Sequence, residues 1–311
     1  MSNTPRLELN IYSFQVRSSK RAQSDPIPIN QFFSRFSSRW QSPFVGLVEL
    51  FIKQIDNKIY KKKGLGGILF DKKVRSSERI FDFMLDGGTT GFIQSLIKPS
   101  GTKDVIDKDA VVGPKFFVRL WMPHADYGFL FIQSYSTLSI KPIIEELLDE
   151  TLRHLDCQLL KKPIVRTTTQ ERINQFLGTA TVVSITIFAP SSPHSTKVGE
   201  IKDAAIRITG ASIAKTVLSQ GVSALNKLFG ISYHPSKETR YQITYESEGK
   251  ERSFRTDDLI DDRGNVKIIP PIYLPQNCID ENSHPRFEEL GQFVDVEMAK
   301  LKGDSPSIFL D

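Results

Sequence analysis

Cysteine is scarce in this sequence. Among its 311 residues only Cys157 and Cys278 carry thiols, far apart, which argues against a disulfide framework and fits a reducing cytoplasm. Long apolar runs are missing as well. No stretch approaches the roughly 18–20 apolar residues that cross a bilayer, so direct membrane insertion is not expected. The opening MSNTPRLELN has no apolar leader core, and the expected location is cytoplasmic. Catalytic signatures are also lacking. There is no phosphate loop of the GxxxxGK type, no GxSxG, no HExxH and no CxxC pair. The run Gly64-Leu65-Gly66-Gly67 is too short for a dinucleotide fingerprint and is expected to be a turn between strands. The five histidines, His124, His154, His194, His234 and His284, stand singly, whereas metal sites need clustered ligands. No cofactor, metal or catalytic residue is expected, and the chain is not expected to be an enzyme.

What the chain does have is a segregated charge. Its net +5 hides two basic zones and one acidic one. Lys and Arg exceed Asp and Glu by 9 in residues 1–81 and by 7 in 161–240, while 241–311 carries an acidic excess of 7. Such a layout points to a polyanion surface. In the first zone the candidate phosphate ligands are Arg17, Lys20 and Arg21, then Lys61, Lys62 and Lys63, then Lys72, Lys73 and Arg75. In the second they are Lys161, Lys162, Lys197, Lys202, Arg207, Lys215 and Lys227. Mobile cations of this kind carry affinity for the backbone without reading bases. Base readout is not expected, because no helix-turn-helix with a basic second helix, zinc-finger spacing or RNP-type aromatic signature is present. Phe116, Phe117 and Trp121 are expected to fill a hairpin core.

Three other groups mimic chemistry. Glu200-Ile201-Lys202 has the E-x-K spacing of many restriction-type nucleases, but the strand before it offers no aspartate. Asp295, Glu297 and Lys300 are expected on a solvated helix face. Asp257, Asp258, Asp261 and Asp262 lack the calcium-loop pattern and are expected to form a solvated turn.

Periodicity predicts the elements. Leu7 to Val16 alternates as a strand, and Ile29 to Trp40 has helical spacing ended by Pro43. Val45 to Ile52 and Lys58 to Lys62 read as strands joined at Asp56-Asn57, followed by a strand from Ile68. Phe116 to Met122 and Tyr127 to Ser134 form a hairpin. Ile140 to Leu160 reads as one amphipathic helix, followed by a domain boundary that divides the chain into 1–160 and 161–311. Ala180 to Phe188 is a strand of the buried kind, Ala211 to Leu228 a helix, Arg240 to Arg255 a hairpin, and Pro285 to Lys302 a last helix. Without a regular βαβ period the expected class is α+β, with mixed, largely antiparallel sheets and amphipathic helices in two domains.

The order of these elements resembles the RexA family of lambdoid phage exclusion proteins. The shared features are the opening strand with Tyr12, the basic loop Arg17 to Arg21, and Ile27 to Phe36. A hairpin containing Gly128-Phe129 and Ser134 follows, then the helix from Ile140 and Asp262-Arg263-Gly264-Asn265-Val266 ahead of the last helix. The resemblance implies an RdgC-like fold, a homodimer, sequence-nonspecific binding of duplex DNA, and a cytoplasmic sensor working with a membrane-protein partner in abortive infection. It supplies no catalytic residue. The alternatives are a metal-dependent nuclease and a protein-interaction adaptor whose acidic 241–311 section docks a basic partner.

Overall fold

A computed structural model describes residues 7–20, 25–56, 65–89, 94–97, 103–106, 113–123, 126–135, 138–167, 171–172, 175–176, 181–190, 195–196, 199–200, 203–209, 240–247, 250–256 and 270–304. The chain divides into two compact units. The first holds β1 (Leu7–Ser18), β2 (Pro26–Ile27), α1 (Ile29–Ser34), α2 (Pro43–Asp56), β3 (Leu65–Arg75), β4 (Ile80–Thr89), β5 (Gln94–Ile97), β6 (Lys103–Ile106), β7 (Lys115–Trp121), β8 (Gly128–Tyr135), α3 (Lys141–Arg153) and β9 (Cys157–Thr167). The second holds β10 (Thr181–Pro190), β11 (Ser195–Thr196), β12 (Gly199–Glu200), β13 (Asp203–Thr209), β14 (Arg240–Ser247) and β15 (Lys250–Thr256). The chain then returns to the first unit with β16 (Ile272–Tyr273) and α4 (Phe287–Asp304). The class is α+β, and every pairing among the described strands is antiparallel. None of the described helices is long and apolar enough to cross a membrane.

The main sheet runs β16-β1-β8-β7-β4-β3. Its central strands β7 and β8 are buried nearly end to end, which means both faces are covered. One face of β4 presents Phe81 and Phe83 to Phe51 of α2, with ring centroids 6.1 and 5.6 Å away. The other presents Asp82 towards α4, because successive residues of a strand point to opposite sides. Phe117 on β7 meets Phe287 of α4 at 5.9 Å on that second face. Helix, sheet and helix therefore form three layers in the first unit. Among the described residues β3 is an edge strand, and it exposes Asp71, Lys72 and Lys73, charges that discourage edge-to-edge pairing.

Several expected elements change here. Val45 to Ile52 is helical, inside α2, because Phe44, Leu47, Val48, Phe51 and Ile55 recur at helical spacing and all are buried. Pro43 opens this helix instead of closing the previous one. The Ser42 carbonyl accepts the Gly46 amide at 3.0 Å, and proline at the first helical position loses no hydrogen bond. Helix α1 is shorter than expected, stopping at Ser34 before a run of turns. Gly66 and Gly67 lie inside β3, opposite Gly88 and Gly87, not in a turn. The helix expected over Ile140 to Leu160 ends at Arg153, and Cys157 already belongs to β9. A reversal at Asp156, whose φ is 54°, separates them. Lys58 to Lys62 and Ala211 to Leu228 lie outside the described residues, as does the acidic run 257–262.

The boundary expected after residue 160 falls after Thr167, and the second unit is an insertion. Thr167 of β9 sits opposite Ile11 of β1. Ile272 of β16 sits opposite Leu9 on the same edge of that strand. The excursion 168–271 thus begins and ends beside β1.

Both thiols are free and buried, and burial pushes both above the ordinary thiol range. Since the thiolate is the reactive form, neither should react with a colorimetric thiol reagent in the folded protein. Two equivalents should appear only when denaturant is added, and prompt labelling of the native state would contradict the packing.

Candidate nucleic-acid interface

Two members of the first basic zone, Lys73 and Arg75, are engaged by the acidic C-terminal section. Arg75 donates from Nη2 to Asp295 Oδ1 at 2.7 Å, with Glu78 at 3.4 Å and Asp82 at 3.8 Å. Burial works to lower its pKa, but the hydrogen bond and charge of Asp295, with Asp82 and Glu78, carry it above the usual value. Arg75 is thus spent on holding α4 against the sheet and does not form an outward phosphate ligand. Lys73 pairs with Glu288 of α4 at 2.8 Å, and Lys20 pairs with Asp156 at 2.6 Å. Both pairs are exposed, so they contribute only about 0–1 kcal/mol and can exchange for an incoming phosphate. Arg17 is half-buried and lies 3.1 and 3.2 Å from the side-chain amide of Gln158. Lys72 is exposed on the β3 edge. Lys161 and Lys162 occupy β9. Arg21, Lys61, Lys62, Lys63, Lys197, Lys202, Lys215 and Lys227 lie outside the described residues.

The helix face carrying Asp295 and Glu297 is not simply solvated, as the sequence led us to expect. Asp295 serves Arg75 and Arg119, and Glu297 is buried with Lys300 at 3.3 Å. Arg119, which carried no signal in the sequence, is the centre of this cluster. It is 1 % exposed and uses all five of its N–H donors. Nε and Nη2 donate to the two Asp82 oxygens at 2.5 and 2.8 Å. Nη1 donates to Asp295 Oδ1 at 2.6 Å and to Met298 Sδ at 3.0 Å, and Nη2 donates to the Gly291 carbonyl at 2.9 Å. Burial pushes the Asp82 carboxyl up while Arg119 pulls it down. Two arginines and two aspartates balance in this cluster, so it is a structural clasp. Among the described residues, no group of three or more His, Cys, Asp or Glu side chains is placed to hold a metal ion.

The second unit offers a different surface. Its four-stranded sheet runs β13-β10-β14-β15. One face is apolar, with Val182, Ile185, Ile187, Ile243 and Tyr245 buried and Phe176 edge-on to Tyr245 at 5.0 Å. A bulge between Val182 and Ser184 keeps this alternation in phase. The opposite face is polar and is organised in cross-strand rows. In one row Arg207, Thr186 and Gln242 stand side by side, with Arg255 in the next register position. The adjacent row is made of hydroxyl residues alone, Thr209, Ser184, Thr244 and Ser253. Thr186, Phe188, Arg207, Gln242, Thr244, Glu251 and Ser253 line an open depression of about 350 Å³. Arg207 is exposed, and no ion pair to it forms among the described residues.

Of the expected ligands, Arg207 is the one that this surface brings together with other polar donors. The neutral residues beside it were missed because attention to charge passes over Thr, Ser and Gln. The available signal was the alternation Ser184-Ile185-Thr186-Ile187-Phe188, which describes a one-sided strand instead of a fully buried one. Comparison with family models, with curated proteins and with solved structures finds no match to this chain.

Proposed function

We propose that this chain binds nucleic acid through its phosphates, without reading sequence, and that the polar sheet face of residues 168–271 is the contact surface. The observation that carries the proposal is Arg207, an exposed guanidinium with no described acidic partner, standing beside an amide and a row of hydroxyls. Arginine presents a fork of donors that matches a phosphate, and hydroxyl and amide groups complete its hydrogen bonding. Lys72, Lys73 and Lys20 of the first unit are exposed cations that add to the field steering a polyanion.

The phage-exclusion setting, the homodimer and the membrane-protein partner belong to the proposal through the RexA resemblance. Plating efficiency of a superinfecting phage on cells with and without the protein tests that setting.

Binding to mixed-sequence duplexes should weaken with salt, with a slope of about −0.9 per phosphate neutralised. Arg207→Glu should weaken every sequence alike, by about tenfold or more, since it replaces a phosphate ligand by a repelling charge. Affinity that ignores both salt and Arg207 would refute the proposal. Incubation of plasmid with magnesium or manganese separates it from the nuclease alternative, for which cleavage is required.

A further inference from the structure

We infer that the depression on the second unit's sheet is a subsite for single-stranded nucleic acid, in which Phe188 stacks one base while Arg207 holds an adjacent phosphate. This deepens the proposed function and rests on it.

The size of the depression comes first. About 350 Å³ lies near the lower end of small-ligand sites, about 300–1,000 Å³. It suits one or two nucleotides with their bases turned out, whereas a duplex would rest on the rim and leave the floor empty. The floor is one face of a β-sheet, and single strands are commonly laid on such surfaces with aromatic side chains beneath the bases. Phe188 is half-buried in the lining. As a lining residue it presents part of its surface to the depression, which a stacking platform requires.

Polarity comes second. Arg207 is on β13 and Glu251 is on β15, at opposite edges of the sheet. Three strand spacings of about 4.8 Å separate them across the sheet, and Glu251 also lies four register positions, about 13 Å, further along the strands. Arg207 attracts a phosphate, and Glu251 repels one but accepts hydrogen bonds from base amino groups or sugar hydroxyls. Between them Thr186, Gln242, Thr244 and Ser253 offer donors and acceptors of either kind. A strand laid across this floor therefore has a preferred position for its phosphate and another for its base and sugar edge.

The test is fluorescence anisotropy of the full chain with a labelled oligothymidylate and with a labelled mixed-sequence duplex at one ionic strength. The single strand should bind about tenfold tighter than the duplex. Phe188→Leu should weaken the single strand by about tenfold, the scale of one lost base stack, while Phe188→Tyr should retain its affinity. The salt slope for the single strand should stay near −0.7, the value for about one phosphate. Equal binding of both ligands, or Leu and Tyr variants that behave alike, overturns the single-strand subsite. In that event a loss of duplex affinity in Arg207→Glu still supports phosphate binding at this face. If neither ligand binds, both proposals fall together.

Discussion

Arg119→Met should destabilise the first unit by about 3–5 kcal/mol, the cost of breaking a buried ion pair from one side. The substitution keeps much of the side chain's volume, so lost packing contributes little. What it leaves behind decides the magnitude. Asp82 would remain buried, with Arg75 at 3.8 Å as its nearest described cation. The Gly291 carbonyl and Met298 Sδ would each lose the guanidinium donor. Urea unfolding followed through tryptophan fluorescence should show the midpoint shift, since Trp121 is buried two residues along the same strand. Replacing both members, Arg119→Met with Asp82→Leu, should recover much of the loss, because neither charge is then stranded. Asp295 keeps Arg75 as its partner in that double variant. A coupling energy near zero in the double-mutant cycle would contradict the clasp.

Gly128→Ala should cost about 2 kcal/mol, within the range for overpacking a filled core. Gly128 opens β8 directly opposite Phe14 of β1. An added Cβ would come within 2.7 Å of three atoms of the Phe14 ring. The ring is buried, with 2 % exposure, so it cannot swing aside into solvent. Phe14→Leu in the same molecule shortens the obstructing group and should reduce the penalty of the added methyl. Independent, additive losses for the two substitutions would mean that the contact is not the cause. Gly46 makes a related accommodation, since a Cβ there would sit 2.2 Å from the Trp40 indole. In both places a glycine is required by the close approach of an aromatic ring, not by an unusual backbone angle.

These packing relations explain which parts of the molecule were readable in advance. β1, the β14–β15 hairpin and α4 announce themselves because one side of each repeats at a single period, and the β7–β8 hairpin because both its strands are rich in aromatic and branched residues around a turn. Val45 to Ile52 misleads because a continuous apolar run suits a strand and a buried helix equally. Its true period appears only when Phe44 and Ile55 are included. The α3–β9 junction misleads for a related reason. Leu155, Cys157 and Leu159 continue the apolar content of α3 while the backbone has already reversed at Asp156. Charge was the least transferable signal. Lys73 and Arg75 look available to a polyanion, but their partners Glu288 and Asp295 lie more than two hundred residues downstream. No linear count can bring such partners together. Arg207 survived the same test because its cross-strand neighbours on β10 and β14, Thr186 and Gln242, are neutral.

The way the chain leaves and rejoins the edge of β1 has a consequence for how this protein can be cut and varied. β9 and β16 run in the same direction along that edge, ending opposite Ile11 and resuming opposite Leu9. They are two halves of one interrupted line of backbone, with only the place facing Asn10 vacant between them. Splicing Thr167 to Ile272 through a single residue would restore an unbroken strand and keep its alternation in phase, so the surrounding scaffold need not notice what is removed. The inserted segment is in that sense a cassette, free to diverge or be exchanged while the clasped sheet stays the same.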